Sequence, residues 1–431
     1  MNLVLAENRS TRLASFTLFY IAQGLPVGLL LVALPAWLAE AGQAPAAVAS
    51  FVAISSLPWA FKLFAGPIMD RFSYLPMGRR RPWVIAAQGG LLLSMIGMGL
   101  TPDPTQQIAY LTAAGFIVNL FAAVQDVAVD GMAIDVLPLD ERGRANAFMA
   151  FGQISGLSGS GAVSGLTLVH FGLPGACWLL ALGIALILAL AILVRERSGE
   201  KRLPWTDGAA TARSIELQAD RWRDIFRDTF KVIALPASLV LMSVAFLWRV
   251  TDGVWLALAP IVTVQELGFD TIDFTTWNSL IGFIVATLGL LLGPLIDRHG
   301  AKYFFLLSLA GLFLCYFASW LFVDQWTASA YVPLSILGFQ SAMVQIAFIA
   351  FIALHMNICW ERVAATQFAI YMAAANFARS VGAGVYADLS ARLNSADIVL
   401  LMSACCALAG LLLLTVNSSR HLERLRALDK A

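Results

Sequence analysis

The feature that most constrains this chain is a succession of long apolar segments. A helix that crosses the hydrocarbon core of a bilayer needs about 20 mostly apolar residues, and twelve segments of that size follow one another here. Charged residues make up only 13% of the chain, against about 25% in a typical soluble domain. This scarcity of charge excludes soluble enzymes, disordered proteins and nucleic-acid binders, and predicts an all-α membrane protein.

The apolar segments set the predicted spans. Long continuous segments favour helices, because a membrane barrel shows short alternating segments instead. The first segment is too long for a signal-peptide core and has no small-residue cleavage site after it, so we expect it to remain in the mature protein. The predicted spans cover residues 11–38, 46–68, 82–100, 107–134, 144–171, 174–194, 235–264, 274–296, 301–323, 329–356, 363–387 and 396–416.

The positive charges predict the orientation. In this assignment nearly all of the 28 Lys and Arg residues lie on one side of the membrane. The exceptions are Arg392 on the other side and Lys62, Arg249 and Arg379 inside spans. By the positive-inside rule, both termini are predicted to lie in the cytoplasm. The predicted location of the protein is the inner (cytoplasmic) membrane.

The longest polar interruption divides the spans six and six. We therefore predict an N-terminal bundle over residues 1–194, a cytoplasmic linker over 195–234, and a C-terminal bundle with a short tail over 235–431. One helical face of the linker is apolar and flanked by basic residues, which is typical of an interfacial helix. We interpret it as a tether between the two halves or, alternatively, as a regulatory or partner-binding element. The face comprises Trp222, Ile225, Phe226, Thr229 and Phe230.

Two motifs recur in the halves. The stretch GPIMDR at residues 66–71 is echoed by GPLIDR at 293–298, and the pair Glu141-Arg142 is echoed by Glu361-Arg362. Internal repeats of this kind are common in secondary transporters. They predict two pseudo-symmetric six-helix bundles.

On these motifs the sequence resembles the major facilitator superfamily over nearly its whole length. More narrowly, LPWAFK at 57–62, the basic stretch GRRR at 78–81, QDVAVD at 125–130 and DERG at 140–143 resemble the AmpG-type branch. That branch includes muropeptide permeases, acetyl-CoA transporters and siderophore-uptake permeases. The resemblance implies an alternating-access carrier in which the first and fourth helices of each bundle line a central cavity.

The repeated loop motif is a candidate conformational gate. An Asp at a helix end can accept hydrogen bonds from the exposed amides of a neighbouring helix N-terminus, and the resemblance places Asp70 against the start of the eleventh span. The arginines that follow can pair with Asp135 or with lipid headgroups. Plain topology anchoring is the alternative. The gating set is Gly66, Asp70, Arg71, Gly78, Arg79, Arg80, Gly293, Asp297 and Arg298.

Charges inside spans need a partner or a function, because each costs about 2.5–3.5 kcal/mol at the bilayer centre. Arg249 lies near the middle of the seventh span, with Asp252 three residues later on the same face. Either Arg249 binds an anionic group of a substrate, or Arg249 and Asp252 neutralise each other. In a combined reading, a proton or substrate competes with Arg249 for Asp252.

The fourth span carries two acidic residues, Asp126 and Asp130, one helical turn apart. Counting at 1.5 Å per residue places Lys62 at the depth of Asp126, which predicts an ion pair. Alternatively, Asp126 or Asp130 relays protons, because burial favours the neutral form of a carboxylic acid. Arg379 faces either the cavity or a neighbouring polar group, and the sequence does not decide between them.

Further polar and aromatic residues on the implied cavity helices are candidate substrate contacts. The alternative for each amide is an ordinary bond between helices. The candidates are Tyr20, Gln23, Asn119, Gln340 and Gln345, with Trp248 and Trp255 as stacking surfaces. The glycines of the fifth span are interpreted as packing residues.

Together these features predict proton-coupled import of a polar anionic organic solute, resembling a muropeptide, siderophore or acetyl-CoA. Efflux antiport or uncoupled diffusion is the alternative, and a transporter-like receptor or lipid translocator a more distant one. We expect no enzymatic activity, cofactor or metal, because the five cysteines and four histidines form no ligand or catalytic pattern. The expected partners are a small-molecule substrate and the lipid bilayer, with no nucleic acid, and the expected state is a monomer.

Overall fold

The computed structural model describes residues 3–138, 141–216, 229–360, 364–417, 420–421 and 423–425. Within these residues nine helical stretches have the length and hydropathy of a membrane span. The stretch Phe148–Leu193 holds two spans, because the backbone breaks at Gly172, where φ is 66°. Two further helices, of 29 and 26 residues, are also long enough to cross a bilayer. The fold is an all-helical membrane bundle, as predicted.

The membrane helices follow the predicted spans to within a few residues. They are α1 (Arg9–Glu40), α2 (Pro45–Ser56, Leu57–Phe61 and Lys62–Arg71), α3 (Arg81–Gly99), α4 (Ile108–Val136), α5 and α6 (together Arg142–Leu193, divided at Gly172), α7 (Pro236–Glu266), α8 (Thr271–His299), α9 (Ala301–Leu321), α10 (Tyr331–Asn357), α11 (Ala364–Leu389) and α12 (Ser395–Leu414).

The chain forms two compact units. One comprises Met1–Ala41, Ile54–Asp220 and Asp270–Phe283, and the other comprises Gly42–Ala53, Arg221–Phe269 and Ile284–Ala431. The units thus follow the two halves of the sequence, except that the first turns of α2 and α8 are each grouped with the other half. Of the proposed interfacial helix, Trp222, Ile225 and Phe226 lie outside the described residues, Thr229 is buried and Phe230 is exposed.

Glycines bring equivalent helices into backbone contact in the two halves. In the α1–α5 pair and in the α7–α11 pair, an added Cβ atom would overlap with backbone or side-chain atoms of the partner helix. Small residues at such positions allow close helix packing in membranes. The overlaps occur at Gly24, Gly28, Gly152 and Gly156 in the first pair and at Gly253 and Gly382 in the second.

Two irregular segments also repeat. The helices α1 and α7, which open the two halves, each contain a π-helical turn, at Leu29–Ala33 and Val262–Glu266.

The helix α2 is irregular at Leu57–Phe61, where it forms a 3₁₀ turn that contains Pro58. A proline removes a backbone donor and disturbs a regular α-helix. This turn carries Trp59 and leads directly into Lys62.

Candidate functional site

Three helices of the first half meet at a cluster of buried charges, which we call the acidic cluster (Tyr20, Gln23, Lys62, Asp126 and Asp130). The ammonium group of Lys62 on α2 forms an ion pair with the carboxylate of Asp126 on α4, and Gln23 on α1 donates to the other oxygen of Asp126. Asp126 is 4% exposed and Lys62 is 21% exposed at the side chain. The ion pair predicted from matching depth is therefore present.

The second carboxylate of this cluster has a different partner. The hydroxyl group of Tyr20 on α1 donates to Asp130, which is half-buried. Gln153 on α5 donates to Gln23 over 2.8 Å and extends the network to a fourth helix. With two carboxylates and one ammonium, the cluster carries a formal charge of −1 when both acids are ionised.

An aromatic ring lies beside the lysine. The Nζ atom of Lys62 is 4.5 Å from the centre of the Trp59 ring, a distance at which the ring face attracts a cation. Trp59 lies in the 3₁₀ turn Leu57–Phe61, which ends at the residue before Lys62. Lys62 thus has both an ionic and an aromatic contact.

The second half carries the opposite charge, in what we call the arginine cluster (Arg249, Asp252 and Arg379). On α7, Nη1 of Arg249 donates to Oδ2 of Asp252 over 2.7 Å. From α11, Nε of Arg379 lies 3.0 Å from the same oxygen. Arg249 and Asp252 are each 7% exposed at the side chain, whereas Arg379 is 30% exposed. One carboxylate therefore faces two guanidinium groups, which leaves a formal charge of +1.

The packing of α7 on α11 explains how Arg379 reaches Asp252. Gly253, the residue after Asp252, lies against the backbone carbonyl of Arg379, where a Cβ atom would overlap. On the other helix, Gly382 lies in the same way against Val250. The partner of Arg379, which the sequence leaves open, is therefore Asp252.

Several of the candidate contact residues are enclosed in the protein. Trp248 has no exposed surface and packs with ring centres 5.5 Å from Phe305 and 5.7 Å from Phe351. Asn119 is also fully buried and donates to the carbonyl of Ser55 over 2.6 Å. Because neither side chain is exposed, Trp248 packs within the aromatic core and Asn119 links two helices.

The remaining candidates contact their own half of the chain. Gln340 is 3% exposed and its amide lies 3.3 Å from the hydroxyl group of Tyr316. Trp255 is half-buried, with its ring centre 5.7 Å from that of Tyr316. Gln345 is half-buried beside Gly289 of α8. Tyr316, which contacts two of these residues, was not predicted, because nothing in its apolar segment marks it.

The basic loop between α2 and α3 pairs with the end of α4, as predicted. Nη1 of Arg79 lies 3.0 and 3.1 Å from the two carboxylate oxygens of Asp135, and Nε of Arg80 lies 3.5 Å from Asp135. Gly131, one turn earlier on α4, leaves the space that the Arg80 guanidinium fills.

The structure describes only some of the other residues of the predicted gate. Arg71 and Arg298 are exposed, and a Cβ atom at Gly66 would make only an ordinary contact. The side chains of Asp70 and Asp297, the surroundings of Gly293, and the pair Glu361-Arg362 lie outside what the structure describes. The predicted contact of Asp70 with the eleventh span stays a prediction.

Glu196, which the sequence did not single out, is the acceptor at this loop. It follows α6, is fully buried, and accepts hydrogen bonds from three successive backbone N–H groups, those of Arg79 (3.0 Å), Arg80 (2.8 Å) and Arg81 (2.5 Å). Burial raises the pKa of Glu196, and the three N–H bonds act in the opposite direction. Its sequence signal is slight, namely an acid two residues beyond an apolar segment.

Among the residues described, no group of His, Cys, Asp and Glu side chains has the arrangement of a metal site. The titratable groups of both clusters are instead paired with one another.

The comparison with known families decides the class. A model of the Major Facilitator Superfamily matches residues 16–383. The chain belongs to the major facilitator superfamily. As a member of this superfamily it is a multi-pass membrane transporter.

Curated relatives indicate the AmpG-type branch. The anhydromuropeptide permease of Escherichia coli (strain K12) is 26% identical over 406 residues, which are 94% of this chain and 79% of that protein. A Rickettsia felis protein named as a transporter, AmpG 4, is 27% identical over 373 residues, which are 83% of this chain and 85% of that protein. These relatives are permeases and transporters rather than enzymes.

Solved structures support the superfamily fold. A D-xylose-proton symporter superposes with a TM-score of 0.71 at 15% identity, covering 95% of this chain and 98% of that one. The inward open conformation of the xylose transporter XylE from E. coli also gives 0.71 at 15% identity, covering 97% and 99%. At this identity the likeness concerns the fold alone.

Proposed function

We propose that this chain imports a polar anionic organic solute, of the anhydromuropeptide class, together with protons. The observation that carries the proposal is the arginine cluster, in which one carboxylate, Asp252, faces Arg249 and Arg379. An excess positive charge within membrane helices is costly, and an anionic solute offsets it. The name of the E. coli relative, anhydromuropeptide permease, supports a solute whose peptide part brings carboxylates.

In this mechanism Arg379 is the residue that exchanges partners. Its side chain is 30% exposed, whereas that of Arg249 is 7% exposed, so Arg379 loses less contact when it turns away from Asp252. A guanidinium group presents donors that match a carboxylate in pairs. When the solute arrives, its carboxylate replaces that of Asp252 as the partner of Arg379, and Arg249 keeps its contact with Asp252.

Asp130 is the proposed proton site. It is half-buried and accepts from Tyr20, whereas Asp126 is held by both Lys62 and Gln23. Loss of its charge therefore leaves the Lys62–Asp126 ion pair in place. We further propose that the protein is a monomer in the cytoplasmic membrane, with both termini in the cytoplasm.

Reconstituted vesicles test the proposal. Purified protein in proteoliposomes should accumulate a radiolabelled anhydromuropeptide when the outside is made acidic, and a protonophore should abolish the accumulation. A neutral sugar of similar size is the matched control solute and should not accumulate. Equilibration without dependence on the gradient would contradict proton coupling, and equal transport of the neutral sugar would contradict selection by the arginine cluster.

A further inference from the structure

The first part of the linker is built onto the N-terminal half rather than lying free between the halves. Leu5 and Arg195 are joined by a backbone hydrogen bond of 2.8 Å, next to an isolated parallel bridge between Val4 and Arg195. The backbone N–H of Lys201 donates to the carbonyl of Pro76 over 2.8 Å. The linker therefore contacts both the N-terminal segment and the α2–α3 loop.

The buried side chain of Arg81 binds this part of the linker through hydrogen bonds to its backbone. Its guanidinium group is fully buried and donates to backbone carbonyls at the end of α6 and in the linker. The acceptors within 3.0 Å are Ala191 (3.0 Å), Ile192 (2.8 Å), Lys201 (2.7 Å) and Arg202 (2.5 Å). Cations are favoured at helix C-termini. The second half has a similar contact, in which Lys302 at the start of α9 donates to the carbonyl of Val416, beyond the end of α12, over 2.7 Å.

The carboxylate of Glu196 binds the backbone of the α2–α3 loop where α3 begins. Residue Arg80 precedes α3, and no side chain of its own caps this helix, so the exposed N–H groups at the helix start need an acceptor. The Glu196 carboxylate is that acceptor for three consecutive amides. Gly78 has φ of 101°, and a Cβ atom there would lie 2.7 Å from the carboxyl carbon of Glu196. A glycine is thus required both by the backbone and by the space that Glu196 occupies.

We propose that Glu196 is a positioning residue of the transport cycle, an inference that rests on the proposed transport function. By holding the backbone of residues 79–81, it directs the guanidinium groups of Arg79 and Arg80 onto Asp135. These two arginines then form a fixed part of the N-terminal half, and gating movements involve other residues of the loop motif. Loss of the carboxylate frees the loop, so that the arginines sample other partners and the conformational step slows.

Hydrogen–deuterium exchange measured by mass spectrometry tests the positioning without any substrate. In Glu196→Gln the amides of residues 79–81 should exchange on the order of tenfold faster than in the wild type. Glu200→Gln is the matched control, because Glu200 is a buried acid on the same linker that accepts from Arg197 and Ser214 rather than from the loop. The amides of residues 79–81 should remain protected in this control.

Transport by the same variants tests the consequence. Glu196→Gln should lower the maximal rate of anhydromuropeptide uptake with little change in KM, and Arg79→Ala should have little further effect in that background. Unchanged amide exchange, or faster exchange with an unchanged maximal rate, would overturn the proposal. If Glu196→Gln does not accumulate in the membrane, Glu196→Asp replaces it, since the shorter side chain withdraws the carboxylate from the amides.

Different results would refute the proposed solute and the proposed role of Glu196. A wild-type protein that moves no anhydromuropeptide refutes the proposed solute, and the exchange comparison between Glu196→Gln and Glu200→Gln still decides whether Glu196 positions the loop. Melting temperatures of the variants in detergent separate a local loss of protection from global destabilisation.

Discussion

The Nε atom of Arg379 on α11 lies 3.0 Å from the same oxygen of Asp252 that Arg249 contacts at 2.7 Å on α7. Two helices thus share one carboxylate, and the backbone contact of Gly253 with Arg379 sets the distance between them. Under the proposed function, an anionic solute offsets this excess of positive charge inside the membrane helices.

Arg379→Ala should raise the KM for the anionic solute on the order of tenfold or more, because a charge-assisted pair with a carboxylate is among the stronger polar contacts. Arg379→Lys should recover part of the loss, since it keeps the charge without the planar fork. Uptake kinetics in proteoliposomes measure both. Arg392→Ala, which removes an arginine outside the spans, is the control. An unchanged KM in Arg379→Ala would remove this residue from the site.

Asp130→Asn should abolish accumulation driven by a pH gradient while solute exchange at equal concentrations continues. The substitution keeps the size of the side chain and its bond to Tyr20 but removes the proton-binding carboxylate. Acid-driven uptake and counterflow, measured in the same vesicles, separate the two activities. Asp324→Asn, on an exposed segment, is the control. Persistent acid-driven accumulation in Asp130→Asn would exclude this residue as the coupling site.

Neutralising Lys62 alone should destabilise the protein more than neutralising Lys62 and Asp126 together. Lys62→Met leaves the buried carboxylate of Asp126 without its cation, at a cost of about 3–5 kcal/mol, whereas Asp126→Asn still leaves one ammonium and one carboxylate in the cluster. The double variant leaves only the carboxylate of Asp130, which keeps its bond to Tyr20. Thermal unfolding in detergent micelles measures the effect as a double-mutant cycle. Additive losses from the two substitutions would show that this ion pair contributes no coupling.

Sequence reasoning succeeded where position along a regular helix decides the outcome. The pairing of Lys62 with Asp126 could be predicted because depth in the membrane can be counted at a constant rise per residue. The pairing of Arg79 with Asp135 could be predicted because both lie near helix ends on the side of the membrane that carries the positive charges. It did not find the partner of Arg379, because the register between α7 and α11 depends on a backbone contact at Gly253 that only the packed pair shows.

Two further outcomes show why tertiary contacts limit such reasoning. Trp248 was interpreted as a stacking surface for ligand, but Phe305 and Phe351 cover it. The sequence of α7 does not show which residues of other helices pack against it. Glu196 was not recognised, because its partners are backbone amides of an irregular loop, which any residue type supplies.

Glycine substitutions on one helix should separate packing from helix propensity. Gly156→Ala places a Cβ atom against the backbone of Ile21 on α1, whereas a Cβ atom at Gly159 meets nothing within 4 Å. Gly156→Ala should therefore lower the melting temperature by several degrees, and Gly159→Ala should be neutral or stabilise by up to about 1 kcal/mol. Equal effects of the two substitutions on thermal unfolding would contradict the close α1–α5 contact.

The stability of the folded protein should depend on pH through Glu200, a buried acid of the linker. Burial, together with the charge of Glu196, raises the pKa of Glu200 from 4.5 to about 7. The folded protein therefore binds this proton more tightly than the unfolded chain, so the stabilising contribution is complete below pH 4.5 and is lost as the pH rises through 7. The shift corresponds to about 3 kcal/mol. The melting temperature of the wild type should fall between pH 5 and pH 8 more steeply than that of Glu200→Gln, and parallel curves would show that Glu200 does not titrate in this range.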